Sequence, residues 1–195
     1  MNLKMTKYML GKMLGIEALV LMIPMVVSLI YGEAGWKYFG ITSLILLAVY
    51  LLFGFRKPNN TQIYGKDGFV IIACLWILWS IFGALPFWLS GAIPSYIDAL
   101  FETISGFTTT GSTILTDIEA LPKGMNFWRC FTHWIGGMGV LVFMLAIIPN
   151  LSGRSIHIMR AEVPGPVKGK LVPKMRDTAK ILYMIYMLLK FSWES

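Results

Sequence analysis

The chain has 195 residues, 56% of them hydrophobic and only 14% charged, with a net charge of +7. A soluble domain carries about 25% charged residues, so a bilayer is the expected solvent. The basic residues sit in short segments between apolar runs and form no stripe with interleaved aromatics, which argues against nucleic acid as a partner. Cys74 and Cys130 stand in or beside apolar runs without CxxC or Cys/His spacing, so zinc, redox chemistry and a disulfide framework are not expected either.

Apolar segments long enough, or nearly so, to cross a membrane occupy residues 16–31, 36–55, 69–89 and 127–148, and a fifth begins near Thr178. About 20 helical residues cover the roughly 30 Å hydrocarbon layer. The first segment carries Glu17 near its entry and Pro24 within it, and a proline kink is tolerated where neighbouring helices re-satisfy the freed carbonyl. No A-x-A-like cleavage site follows it, so this span is expected to persist in the mature protein. Thirteen Lys and Arg residues, among them Lys4, Lys7, Lys12, Arg56, Lys57 and Lys66, fall at one set of helix ends, against Lys37, Lys123 and Arg129 at the other. That asymmetry places the N-terminus in the cytoplasm. The resulting division is a helix pair over 1–68, a repeat over 69–149, a basic Gly- and Pro-rich cytoplasmic loop over 150–177, and the start of another helix over 178–195.

Between the third and fourth spans stands IPSYIDALFETISGFTTTGST, residues 93–113. It is too short for two crossings and too apolar at first for an ordinary loop. Ser95 is suited to N-cap a helix with Asp98 three positions on, and Gly106 is suited to end it, which predicts a helix over 96–105 of roughly 15 Å, half a membrane. The carbonyls at the end of such a half-helix favour a cation. The chain must then return in non-helical form, and lipid forbids that unless the backbone is covered or lines a water-filled path; residues 107–113 are therefore expected to face a pore. Thr108, Thr109 and Thr110 favour extended backbone, while Gly111 permits the positive φ that lets successive carbonyls point to one side and replace an ion's hydration shell.

The segment GFTTTGST at 106–113, the preceding ALFETIS and the HWIGGMGV of 133–140 together resemble the first pore repeat of the Trk/Ktr/HKT potassium transporters, nearest the TrkH branch. The likeness runs from the N-terminal helix pair to about Leu188. It implies an all-α transmembrane fold of potassium-channel type, in which four helix, pore-loop, helix repeats surround one pathway. It also implies that Thr108, Thr109, Thr110, Gly111 and Ser112 form the first repeat's filter, with potassium at Thr109 and Thr110. Gly111 matches the glycine that accompanies potassium preference in this family. Implied too are potassium as the transported ion with no organic cofactor, a multi-pass location in a bacterial cytoplasmic (inner) membrane, and a cytoplasmic nucleotide-binding Trk regulatory subunit as partner. One loop stands here where the family has four, and the chain stops in FSWES, so truncation at the start of the next repeat is expected. A non-transporting membrane fragment is the alternative, and a homo-oligomer, four copies each supplying one loop of a cation channel, is a third reading.

Other residues carry open readings. Asp98 and Glu102 share a helix face and serve either to draw cations or as scaffold hydrogen bonds. Gly136, Gly137 and Gly139 are a gating hinge or, preferably, close-packing positions. For His133 a hydrogen-bonded structural role is preferred over a proton relay. No GxSxG elbow, nucleophile triad or Walker loop occurs, so an enzyme is not expected.

Overall fold

The computed structural model describes residues 3–58 and 65–147, together with Met184. The basic loop over 150–177 and, Met184 apart, the apolar segment from 178 lie outside the described residues. The elements are α1 (Leu3–Val20), α2 (Met22–Ile30), α3 (Trp36–Phe53), α4 (Gly65–Leu89), α5 (Tyr96–Phe107) and α6 (Lys123–Ile147), with no strand among the described residues. Leu3–Ile30, Trp36–Phe53 and Gly68–Leu89 are each long and apolar enough to cross a membrane.

The first crossing differs from the predicted 16–31. Helix starts at Leu3 and, after a break at Leu21, continues to Ile30, a 28-residue apolar rod. Lys4 and Lys7 do not end it because long stems lie along a helix while their ammonium groups reach the interface. The break follows from Pro24, which has no N–H for the Val20 carbonyl. Helix α4 likewise starts at Gly65 rather than Phe69. Helix α6 is interrupted by Gly139, at φ 71° and ψ 144°, a conformation that suits glycine alone, so the apolar run expected at 127–148 is not one continuous helix.

Helix α5 is wedged between α4 and α6. Small residues set that closeness: a Cβ on Gly106 would lie 2.0 Å from Thr132 Oγ1, and one on Gly136 would lie 2.3 Å from the Phe107 carbonyl oxygen. Gly136 is thus a packing position, as preferred, whereas Gly139 is where α6 bends. Around the junction Phe107 is buried against Trp76, Trp79 and Trp128, with ring centroids 5.7 to 6.3 Å away. Trp128 Nε1 donates to the Gly83 carbonyl at 2.9 Å, tying α6 to α4. On the other side of the bundle α1 lies against α3, and the Ser43 hydroxyl donates to the Ala18 carbonyl at 2.8 Å.

At one end of the bundle a contact joins segments far apart in sequence. The Glu33 carboxylate accepts from the backbone N–H groups of Lys123 at 2.6 Å and Gly124 at 3.0 Å, capping α6 from the turn between α2 and α3. A carboxylate there meets both the orphan donors and the positive end of the helix dipole.

Candidate functional site

Helix α5 begins as its sequence predicts. Ser95 has extended backbone, and its hydroxyl accepts from the Asp98 N–H at 3.4 Å. The helix runs 12 residues, roughly 18 Å, and so reaches about halfway through a bilayer.

Its end differs from expectation. Gly106 remains helical, because its role is to let Thr132 approach, and Phe107 is the last helical residue. Phe107 therefore does not face a pore, as residues 107–113 were expected to; it belongs to the aromatic cluster. Termination falls to Thr109, a β-branched residue held at φ 56°. The Thr110 N–H donates to the Ser105 carbonyl and the Thr109 N–H to the Gly106 carbonyl, both at 3.0 Å. This pair of bonds is the Schellman arrangement, in which glycine normally occupies the left-handed position. With the Thr108 N–H and hydroxyl both on the Ile104 carbonyl, the last-turn carbonyls expected to face a cation are largely taken up within the loop.

Residues 108–114 are exposed and return without regular structure. The return is tied to α5 at two places. Ser105 donates its hydroxyl to the Ser112 carbonyl at 2.6 Å. Glu102, 1% exposed, accepts from the Thr113 hydroxyl and from the Ile114 N–H at 2.9 Å, while its other oxygen accepts from Arg129 Nε at 3.1 Å. Glu102 therefore acts as scaffold, settling one of its two sequence readings. Asp98 is only half-buried and makes no comparable staple. His133 also takes its preferred structural part, with Nδ1 3.0 Å from the Arg129 carbonyl.

Within the return, the Thr108 carbonyl accepts from the Thr109 hydroxyl at 2.7 Å, and the Thr108 and Thr110 hydroxyls lie 2.8 Å apart. Among the described residues no donor reaches the carbonyls of Thr109, Thr110 or Gly111. Gly111 sits at φ 76° with open space where a Cβ would be, so its requirement is conformational. Ser105, Arg129 and Glu33 were not anticipated as site or scaffold residues, and Thr113, expected to face a pore, has its hydroxyl on Glu102. Only the helical spacing of Glu102 and Ser105, which faces both toward the return, hints at the pair on α5; nothing in the sequence joins Arg129 to Glu102.

A half-membrane helix between two long helices, with an exposed return stapled back onto it, defines an all-helical membrane protein with a re-entrant loop. Residues 38–191 match the TrkH family model, whose description is cation transport protein, and the chain belongs to that family. It is 36% identical to the Trk system potassium uptake protein TrkG of Escherichia coli, over 96% of this chain and 39% of that protein. It is also 36% identical to the TrkH potassium uptake protein of Halomonas elongata, over 95% of this chain and 39% of that one. The crystal structure of the potassium transporter TrkH from Vibrio parahaemolyticus superposes with a TM-score of 0.76 at 30% identity, covering 98% of this chain and 38% of that one. The chain thus spans about two fifths of the length of these relatives.

Proposed function

We propose that the chain supplies the first pore repeat of a potassium-uptake pathway in the cytoplasmic membrane of a bacterium. Thr108, Thr109, Thr110, Gly111 and Ser112 line the path, and backbone carbonyls at Thr109 and Thr110 hold the ion. The observation that carries this reading is the run of carbonyls from Thr109 to Gly111 that no donor among the described residues claims, on an exposed segment whose far end is fixed to α5 by Ser105 and Glu102. Carbonyl rings of this kind replace potassium's hydration shell, and the potassium-uptake function in the relatives' names agrees. One lone pair of the Ser112 carbonyl is committed to Ser105, so that residue anchors the end of the path. The N-terminus lies in the cytoplasm, and a nucleotide-binding Trk regulatory subunit meets the basic loop 150–177.

The test is a chimaera in which these residues replace the matching part of Escherichia coli TrkG in a strain without other potassium uptake. Gly111→Ser should lower the preference for potassium over sodium, while Ser112→Ala leaves it near the parent's. An unchanged ratio in the Gly111 variant would remove the filter assignment. Orientation is tested separately with Cys74 and Cys130 replaced by Ala: an impermeant thiol label should reach Thr116→Cys from outside and Lys66→Cys only from inside.

A second reading, that these 195 residues alone do not transport, is favoured by the one-sidedness of the return, which α5 braces on one flank and nothing described covers on the other. A dehydrated cation with ligands on a single side is poorly compensated in a low-dielectric layer. Expressed alone, the chain should not restore growth at low potassium; growth, with a stable tetramer in detergent, would support the homo-oligomeric channel instead.

A further inference from the structure

Helices α1, α3 and α4 leave an open cleft of about 280 Å³ between them, to which no residue of α5 or of the return contributes. Its walls include Leu10 and Leu14 of α1, Val49 and Phe53 of α3, and Phe82 of α4, and one cation, Lys7, stands at its end. From position 7 to position 14 a helix rises roughly 10 Å, so the cleft runs along the helix axes, the direction of an acyl chain in a bilayer. Beside it α1 and α3 are already in backbone contact: a Cβ on Gly11 would lie 2.6 Å from the Gly54 nitrogen. The two helices cannot move closer to close the cleft.

The charge at its mouth is one-sided. Lys4 lies one turn before Lys7, and Arg56 and Lys57 stand two and three positions beyond Gly54, which touches Gly11. Residues 1–16 and 54–58 contain no carboxylate, and among the described residues these four cations have no ion-pair partner, since the one pair joins Glu102 to Arg129. We infer that the cleft binds an anionic phospholipid from the leaflet at the Lys7 end, one acyl chain lying along Leu10, Leu14 and Phe82 and the phosphate meeting Lys7. An amphiphile of that chemistry covers the apolar walls and answers the basic mouth together. The site is independent of the ion path and stands or falls separately from it.

The experiment is native mass spectrometry of the 195-residue chain in mild detergent, titrated with phosphatidylglycerol or phosphatidylcholine of identical acyl chains. Phosphatidylglycerol should be retained in preference. Lys7→Gln should lower that preference about fivefold, the effect of one basic residue near a charged surface, while Lys7→Arg keeps it and Lys37→Gln, at the other set of helix ends, leaves it unchanged. Val49→Trp, or Leu78→Trp should the first fail to fold, fills the cleft and should abolish retention of both lipids. Equal retention of the two lipids by the parent chain, indifference to Lys7→Gln, or undiminished retention in the filled variants would each overturn the assignment. So would Val49→Cys cross-linking in membranes to a polypeptide, such as a second copy of the chain, in place of lipid.

Discussion

Arg129 Nε and Glu102 Oε2 lie 3.1 Å apart, joining the middle of α5 to the first half of α6 across 27 positions of sequence. The remaining oxygen of the same carboxylate holds the return at Thr113 and Ile114. Glu102 is buried and Arg129 nearly so, which makes the loss of one partner costly because the other charge is left behind in a poorly solvated place. Arg129→Met should destabilise the chain by about 3 kcal/mol in detergent unfolding, and the Glu102→Gln, Arg129→Met double variant should recover part of it. Equal stability of parent and single variant would show that the pair is not holding the loop.

Thr109 and Gly111 make opposite predictions from the same cause. Both have positive φ, but only one is glycine. Thr109→Gly should remove left-handed strain and raise stability by roughly 1 kcal/mol, whereas Gly111→Ala should lower it by a similar amount although nothing lies within 4 Å of the new methyl. Thermal unfolding of the two variants side by side checks the sign of each. If Thr109→Gly proved the less stable, the hydroxyl bond to the Thr108 carbonyl would outweigh the strain.

Gly136→Ala is expected to act through crowding. Its methyl would meet the Phe107 carbonyl oxygen at 2.3 Å, and since that oxygen is backbone and cannot swing aside, α5 and α6 must part. A loss of about 2 kcal/mol or more, seen as reduced yield and a lower unfolding midpoint, is expected. A neutral outcome would mean that the two helices are not in contact there.

Much of the loop was legible because it rests on local chemistry. The Ser95 cap, the half-membrane length of α5 and the need of Gly111 for positive φ are each readable within a few residues. The end of α5 was not, since Gly106 looks like a stop signal while its real constraint is Thr132 on another helix. The first crossing was misplaced because Lys4, Lys7 and Lys12 interrupt an apolar count without interrupting a helix. Glu102, Ser105 and Arg129 lie beyond single-sequence reach as a group: two of the three links in that staple are set by how α5, the return and α6 meet in space.

Glu17 offers a stability test away from the loop. It is 0% exposed, and neither carboxylate oxygen has a hydrogen-bond partner among the described residues. Glu17→Met keeps the volume and removes the buried polar atoms, so the free energy of unfolding in detergent should rise by about 1 kcal/mol or more. A fall would point to a partner for the carboxylate outside the described residues.

The Glu33 cap has a consequence in time as well as in space. Ninety residues of synthesis separate Glu33 from the amides it receives, so the acceptor is made well before α6 exists. Helix α6 therefore forms against a waiting carboxylate, and the N-terminal segment that the sequence divides off as a separate helix pair is the template against which the later repeat is completed. Severing the chain between α3 and α4 and supplying the halves separately would leave that first turn of α6 without its acceptor until the two pieces found each other in the bilayer.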